Sequence, residues 1–220
     1  YLFLSRNEVY ELAEEIPDGE TMRFLKHMAK KTNSTIVAGM AEKNRTGVYN
    51  SAVMVGPGGD FCVYRKIHLF REEKDVFDPG NKPYTVHEVR GTRVGMMICF
   101  DYIFPEAART LTLQGVQIIC HPSNLVLPYC QDVMRVRCLE NGIFAITANR
   151  TGEDTREGRT LKFTGRSQIV GCRGEVLCRA SESAEEICLV DIDPSEADNK
   201  FITPQNHLLE DRRSEFYALL

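Results

Sequence analysis

An apolar run, Val94-Gly95-Met96-Met97-Ile98, ends in Cys99-Phe100-Asp101, and Pro105 opens a helical pattern a few residues later. A cysteine at such a strand-to-helix elbow carries its sulfur to the carboxyl edge of a sheet, where open α/β sheets place their sites. The positive end of the helix that follows favours thiolate over thiol. The chemistry on offer is nucleophilic attack on an electrophilic carbon. The competing reading makes Cys99 the last buried residue of a strand, because a free cysteine usually behaves as a small, inert hydrophobe. The other cysteines, at positions 62, 120, 130, 138, 172, 178 and 188, mostly lie inside apolar runs and read that way. His68 and His121 could act as the base of a Cys-His pair. The five histidines are scattered and no Cys-x-x-Cys occurs, so no metal site is expected. Gly56-Pro57-Gly58-Gly59-Asp60 is no phosphate loop, since a strand rather than a helix follows it and the Gly-Lys-Ser/Thr ending is lacking.

These groups need a scaffold, and the chain spells one. Glu20 to Lys31 has a helical period, with Met22, Leu25, Met28 and Ala29 on one face. Thr35 to Met40 is a β-branched run, and Tyr49–Val55 and Phe61–Ile67 flank the glycine cluster as a hairpin. Ser5 to Ile16 is mixed and acidic, and Arg71 to Pro83 is a charged loop. Strand and helix then alternate: Val94–Cys99, a helix from Pro105 to Gly115, Val116–Cys120, a helix from Pro128 or Tyr129 to Asn141, and Ile143–Thr147. Short strands follow at Lys162-Phe163, Ser167–Val170, Val176–Arg179 and Ile187–Ile192. The expectation is one α/β domain over residues 1–192 and a polar C-terminal arm, extended or helical, over 193–220.

Several blocks occur in a telling order. Tyr64-Arg65-Lys66-Ile67-His68-Leu69 precedes Glu73 and Phe77-Asp78-Pro79-Gly80, then Ile98-Cys99-Phe100-Asp101 with Phe104-Pro105-Glu106. His121-Pro122-Ser123-Asn124-Leu125, Glu140-Asn141, Ala148-Asn149-Arg150, Gly165-Arg166-Ser167 and Gly174-Glu175-Val176 come after. Together they resemble the nitrilase, or carbon–nitrogen hydrolase, superfamily over roughly Ile16 to Ile192, and most of all its compact archaeal and bacterial members. The resemblance implies a four-layer α-β-β-α sandwich with a Glu-Lys-Cys site. Cys99 would attack, Lys66 and the backbone N–H of Phe100 would stabilise the oxyanion, and Glu73 would be the second glutamate. Asn124 and Glu140 would line the substrate pocket, although for Glu140 a helix-end salt bridge fits equally. Glu106 reads as a first-turn carboxylate, and His68 and His121 as structural residues. The implied first glutamate belongs to a Pro-Glu block that would precede Tyr1. A leading strand, a helix and their connections come to roughly 30–45 residues, so a longer native polypeptide is expected.

The implied activity is hydrolysis of a small amide or nitrile through a thioester, with no cofactor. A non-catalytic binding or assembly module on the same fold is the runner-up. A papain-like protease fails because no Gln or Gly-rich oxyanion block precedes Cys99. The composition, 43% apolar and 26% charged in 220 residues, is that of a globular chain. No apolar run is long enough to span a bilayer, so no membrane partner is expected. A net charge of −4 with no basic stripe favours no nucleic acid. Mostly free cysteines point to a reducing, cytoplasmic protein. The resemblance and the 193–220 arm together imply a homodimer or larger homo-oligomer.

Overall fold

A computed structural model describes residues 2–217. After α1 (Arg6–Leu12), helix α2 (Glu20–Thr32) buries Met22, Leu25 and Ala29 along one face. It ends on Asn33 in the left-handed region, with Lys30 and Lys31 in the last turn where the dipole favours cations. That face packs on a three-stranded antiparallel sheet of β1 (Ile36–Asn44), β2 (Gly47–Val55) and β3 (Phe61–Arg65). The β2–β3 hairpin pairs Ser51 with Arg65 and Val55 with Phe61, as the glycine cluster led one to expect.

The second sheet is mixed. After α3 (Glu73–Val76) come β4 (Val86–Val89) and β5 (Thr92–Met96), then helix α4 (Pro105–Leu113), β6 (Ile118–Ser123), α5 (Cys130–Asn141) and β7 (Phe144–Asn149). A small hairpin of β8 (Glu153–Arg156) and β9 (Arg159–Lys162) stands apart from the sheet. Then β10 (Gln168–Val170) and β11 (Val176–Arg179) complete it, in the order β11-β10-β7-β6-β5-β4. The β5-β6-β7 centre is parallel, with α4 and α5 as its crossovers. Gly39 of β1 faces Pro122 of β6 across 3.8 Å from an added Cβ, so the two sheets lie face to face. The helices lie outside them, giving the α-β-β-α sandwich. The largest core cluster runs from Ala52, Met54 and Tyr64 through Met96, Met97 and Ile98 to Leu111 and Met134.

Four expectations are corrected. The strand expected over Val94–Cys99 stops at Met96, and Cys99–Ile103 is a 3-10 turn. Ser5–Ile16 contains α1, because the Ser5 hydroxyl accepts the Glu8 N–H and caps it. Ile187–Ile192 forms no strand, and Ile187 and Leu189 are 89% and 88% exposed. Six cysteines are free, but Cys178 and Cys188 are bonded to each other, ten residues apart. Spacing could not reveal that pair, since both lie in ordinary mixed segments.

Within the expected arm, Ala197 is buried against Phe144 and Cys172. The Lys200 ammonium donates to the Asn141 and Gly142 carbonyls, capping α5 at 2.9 and 2.8 Å. The arm therefore begins as part of the domain's packing. Residues 218–220 lie outside the described part.

Candidate active site

The Lys66 block shows why its residue types recur together. Tyr64 donates its hydroxyl to Asp101 at 2.7 Å, and Arg65 pairs with the buried Glu42. The Lys66 ammonium, its side chain wholly buried, meets Glu73 Oε2 at 2.5 Å. His68 Nδ1 lies 2.8 Å from Asp101 Oδ1. Side chains alternate along β3 and its extension, so one short segment reaches the inter-sheet core, the site and the outer face. Gly80 seats the far end of the block. Its N–H donates to the Lys66 carbonyl at 2.8 Å, and an added Cβ would stand 2.2 Å from the Arg65 oxygen. Only glycine permits that approach.

Glu73 opens α3. Its carboxylate accepts the Lys66 ammonium, the Phe70 N–H at 2.7 Å and the Asn50 amide at 3.0 Å. Asn50 was missed in the sequence. The hairpin register is the signal that could have found it, because pairing Ser51 with Arg65 places Asn50 beside Lys66, whose N–H it accepts at 2.8 Å.

Cys99 sits at the elbow with φ of +42°, a left-handed conformation that costs a non-glycine residue about 1–3 kcal/mol and collects at functional sites. Asp101 holds the turn in place. Fully buried, it accepts the Ile98 N–H at 2.8 Å in addition to Tyr64 and His68. Arg137 of α5 clamps the other end by donating to the Tyr102 and Ile103 carbonyls. The Cys99 sulfur lies 3.9 Å from the Asn124 carbonyl. Burial pushes the Cys99 thiol up, opposed by the Lys66 charge and reinforced by Glu73.

A cavity of about 410 Å³ opens between the sheets, the size of a small-molecule site. Cys99, Glu73, Asn50 and Asn124 line it beside Val37, Ile98 and Pro122. Arg159 and Leu161 of the β8–β9 hairpin also reach it, and Arg159 bridges to Glu72 at 2.9 Å. Of the residues expected at the site, Cys99, Lys66, Glu73 and Asn124 come together here. Phe100 packs its ring tilted against Phe70 and edge-on to Phe104 and lines an adjoining apolar crevice, its N–H following the cysteine. Glu140 is not brought to the cavity. It pairs with Arg137 at 2.9 Å near the end of α5, so the salt-bridge alternative is the one the fold realises. Glu106 lies in the first turn of α4. Among the described residues no group of three or more potential ligands could hold a metal ion, and no helix is long and apolar enough to cross a membrane.

The family model for carbon-nitrogen hydrolases matches residues 1–199, and the chain belongs to that family. Among individual relatives, a nitrilase of Pyrococcus abyssi is 48% identical over 217 residues, covering 99% of this chain and 81% of the relative. The crystal structure of a carbon-nitrogen hydrolase from Helicobacter pylori G27 matches with a TM-score of 0.86 at 29% identity, over 96% of this chain and 77% of that one. A mutant of the amidase from Nesterenkonia sp. AN1 matches with a TM-score of 0.75 at 25% identity, over 96% and 73% of the two chains. That structure shows covalent addition of the acetamide moiety of fluoroacetamide at its active site cysteine.

Proposed function

We propose that this hydrolase cleaves the C–N bond of a small amide, or hydrates and hydrolyses a nitrile, through a thioester on Cys99. The observation that carries the reading is a cysteine at a strained elbow, opening on the same cavity as a glutamate that is bonded to a buried lysine. With an amide, the Cys99 sulfur bonds to the carbonyl carbon and negative charge gathers on oxygen. The Lys66 ammonium and the Phe100 N–H stabilise that charge, and removing one such donor typically costs ~3 kcal/mol. The thiol proton passes, by way of the general-base glutamate that the family resemblance implies, to the departing nitrogen. The C–N bond breaks, ammonia or an amine leaves, and a thioester remains. Water then adds to the thioester carbon and the C–S bond breaks, releasing the acid and restoring the thiol. A nitrile enters the same course through a thioimidate. Glu73 holds the Lys66 ammonium in place, while Asn124 faces the bound substrate.

Of the two substrate types, amides are favoured. The Nesterenkonia amidase carries the acetamide moiety of fluoroacetamide on its active site cysteine, and the cavity here has room for a small amide. The proposed assembly is a homodimer or larger, built on the exposed apolar residues Leu113 of α4 and Val136 and Leu139 of α5; light scattering showing only monomer would oppose it. The proposed compartment is the cytoplasm, on six free thiols to one bridged pair. Recovery of the Cys178–Cys188 pair fully oxidised from acid-quenched cells would oppose that.

The test of activity is ammonia release by the full-length protein from a panel of amides, N-carbamoyl compounds and nitriles, with Cys99→Ala as control. Release by the parent and none by the variant supports the reading. Equal release by both excludes Cys99 as nucleophile. None from either favours a binding module on this fold.

A further inference from the structure

Opposite the cavity, His121 of β6 is wholly buried behind the elbow. Its Nε2 lies 2.8 Å from the carbonyl oxygen of Cys99. Its Nδ1 lies 3.2 Å from the Thr147 hydroxyl of β7. A carbonyl can only accept, so Nε2 carries the proton and Nδ1 accepts from Thr147. Burial pushes the imidazolium down to about 4, so the ring is neutral near pH 7 and this one tautomer satisfies both contacts. The Ser123 hydroxyl, 3.2 Å from Nε2, donates its own proton to the His121 carbonyl at 3.3 Å, so toward Nε2 its oxygen can only accept.

The peptide joining Cys99 to Phe100 is planar and trans, so its C=O and N–H point in opposite directions. Whatever holds the carbonyl therefore aims the N–H. Phe100 is the second residue of the 3-10 turn, so its N–H is among the leading donors that a helix leaves without an internal partner, while Asp101 holds the Ile98 N–H before the turn and Arg137 holds the Tyr102 carbonyl near its end. We infer that His121 is a positioning residue for the oxyanion hole: by gripping the Cys99 carbonyl from behind, it turns the Phe100 N–H toward the place where substrate oxygen becomes negative. This rests on the thioester chemistry proposed above. It also gives a buried histidine beside the nucleophile a use other than as a base, since its protonated nitrogen faces the backbone and its other nitrogen is taken by Thr147.

The experiment compares His121→Leu and His121→Gln in the full-length protein. Leucine removes the donor, and glutamine offers an N–H at similar reach. Loss of an oxyanion donor typically lowers kcat by about 10²–10³-fold. A donor left in place but no longer aimed should cost less, about 10–100-fold for His121→Leu. KM should stay within about threefold, and iodoacetamide should alkylate Cys99 at close to the parent rate, because alkylation builds no oxyanion. His121→Gln should recover most of kcat. Parallel loss of kcat and alkylation rate would overturn the inference, as would an unchanged kcat in His121→Leu. If the parent releases no ammonia, the proposed function fails first, and the strut is judged by 15N NMR of the imidazole. A neutral Nε2–H tautomer between pH 6 and 8 supports it; an Nδ1–H tautomer, or titration in that range, refutes it whatever the activity.

Discussion

Replacing Lys66 by methionine keeps the stem and its packing but removes the charge that Glu73 holds. Taking one partner from a buried pair costs about 3–5 kcal/mol, because the other charge is stranded. The two partners are not equivalent. Glu73 is 26% exposed and would keep the Phe70 N–H and the Asn50 amide, so Lys66→Met should fall at the low end, about 3 kcal/mol. Glu73→Gln leaves the Lys66 ammonium with its side chain at 0% exposure and no anion, so it should fall at the high end, about 5 kcal/mol. The double variant holds no buried charge and should lose only about 1–2 kcal/mol, since a buried pair barely outweighs an apolar replacement. For a chain of this size each kcal/mol moves Tm by about 2–4 °C. Lys66→Met should therefore melt about 6–12 °C lower, Glu73→Gln lower still, and the double variant within about 8 °C of the parent. Thermal unfolding followed by circular dichroism at pH 7 reads all four proteins. If the single losses simply add in the double variant, to within about 0.5 kcal/mol, the two groups are uncoupled and the site geometry argued here is wrong.

Two further outcomes follow from the same structure. Because burial raises the Cys99 thiol and thiolate is the reactive form, its alkylation should accelerate with pH through the ordinary thiol range, with no plateau below about pH 8.5. Lys66→Met, which removes the opposing charge, should displace that profile to higher pH; stopped alkylation with mass mapping of Cys99 measures it, and a plateau by pH 7 would reveal a preformed thiolate instead. Cys188→Ser should open the loop closed by Cys178 and lower stability by about 2–3 kcal/mol on the chain-entropy estimate, equally in the parent after reduction; identical melting of oxidised, reduced and mutant protein would show that the bridge adds nothing.

The sequence alone determined the elements whose signals are local. The period of Met22, Leu25 and Ala29, the proline that opens α4, the glycine that closes α5 and the turn at Gly56–Asp60 are each fixed by backbone sterics or by a single apolar face, and each reappears in the structure. It also determined which residue types could carry the chemistry, because Lys66, Glu73 and Cys99 stand in blocks whose order is specific. Tertiary structure decided the rest. The end of β5 at Met96 follows from the Asp101 carboxylate drawing the chain into a 3-10 turn, and that carboxylate is held in turn by Tyr64 and His68 from more than thirty positions upstream. Glu140 looks like a pocket residue in sequence, yet Arg137 on its own helix takes it. Asn50 gave no local signal at all, and His121 stood out as a possible base or a structural residue, with nothing local to mark its hold on the Cys99 carbonyl. Each owes its place to strand register, which sets a residue from one strand beside a residue far along the chain, and register is a property of paired backbones that no single segment encodes.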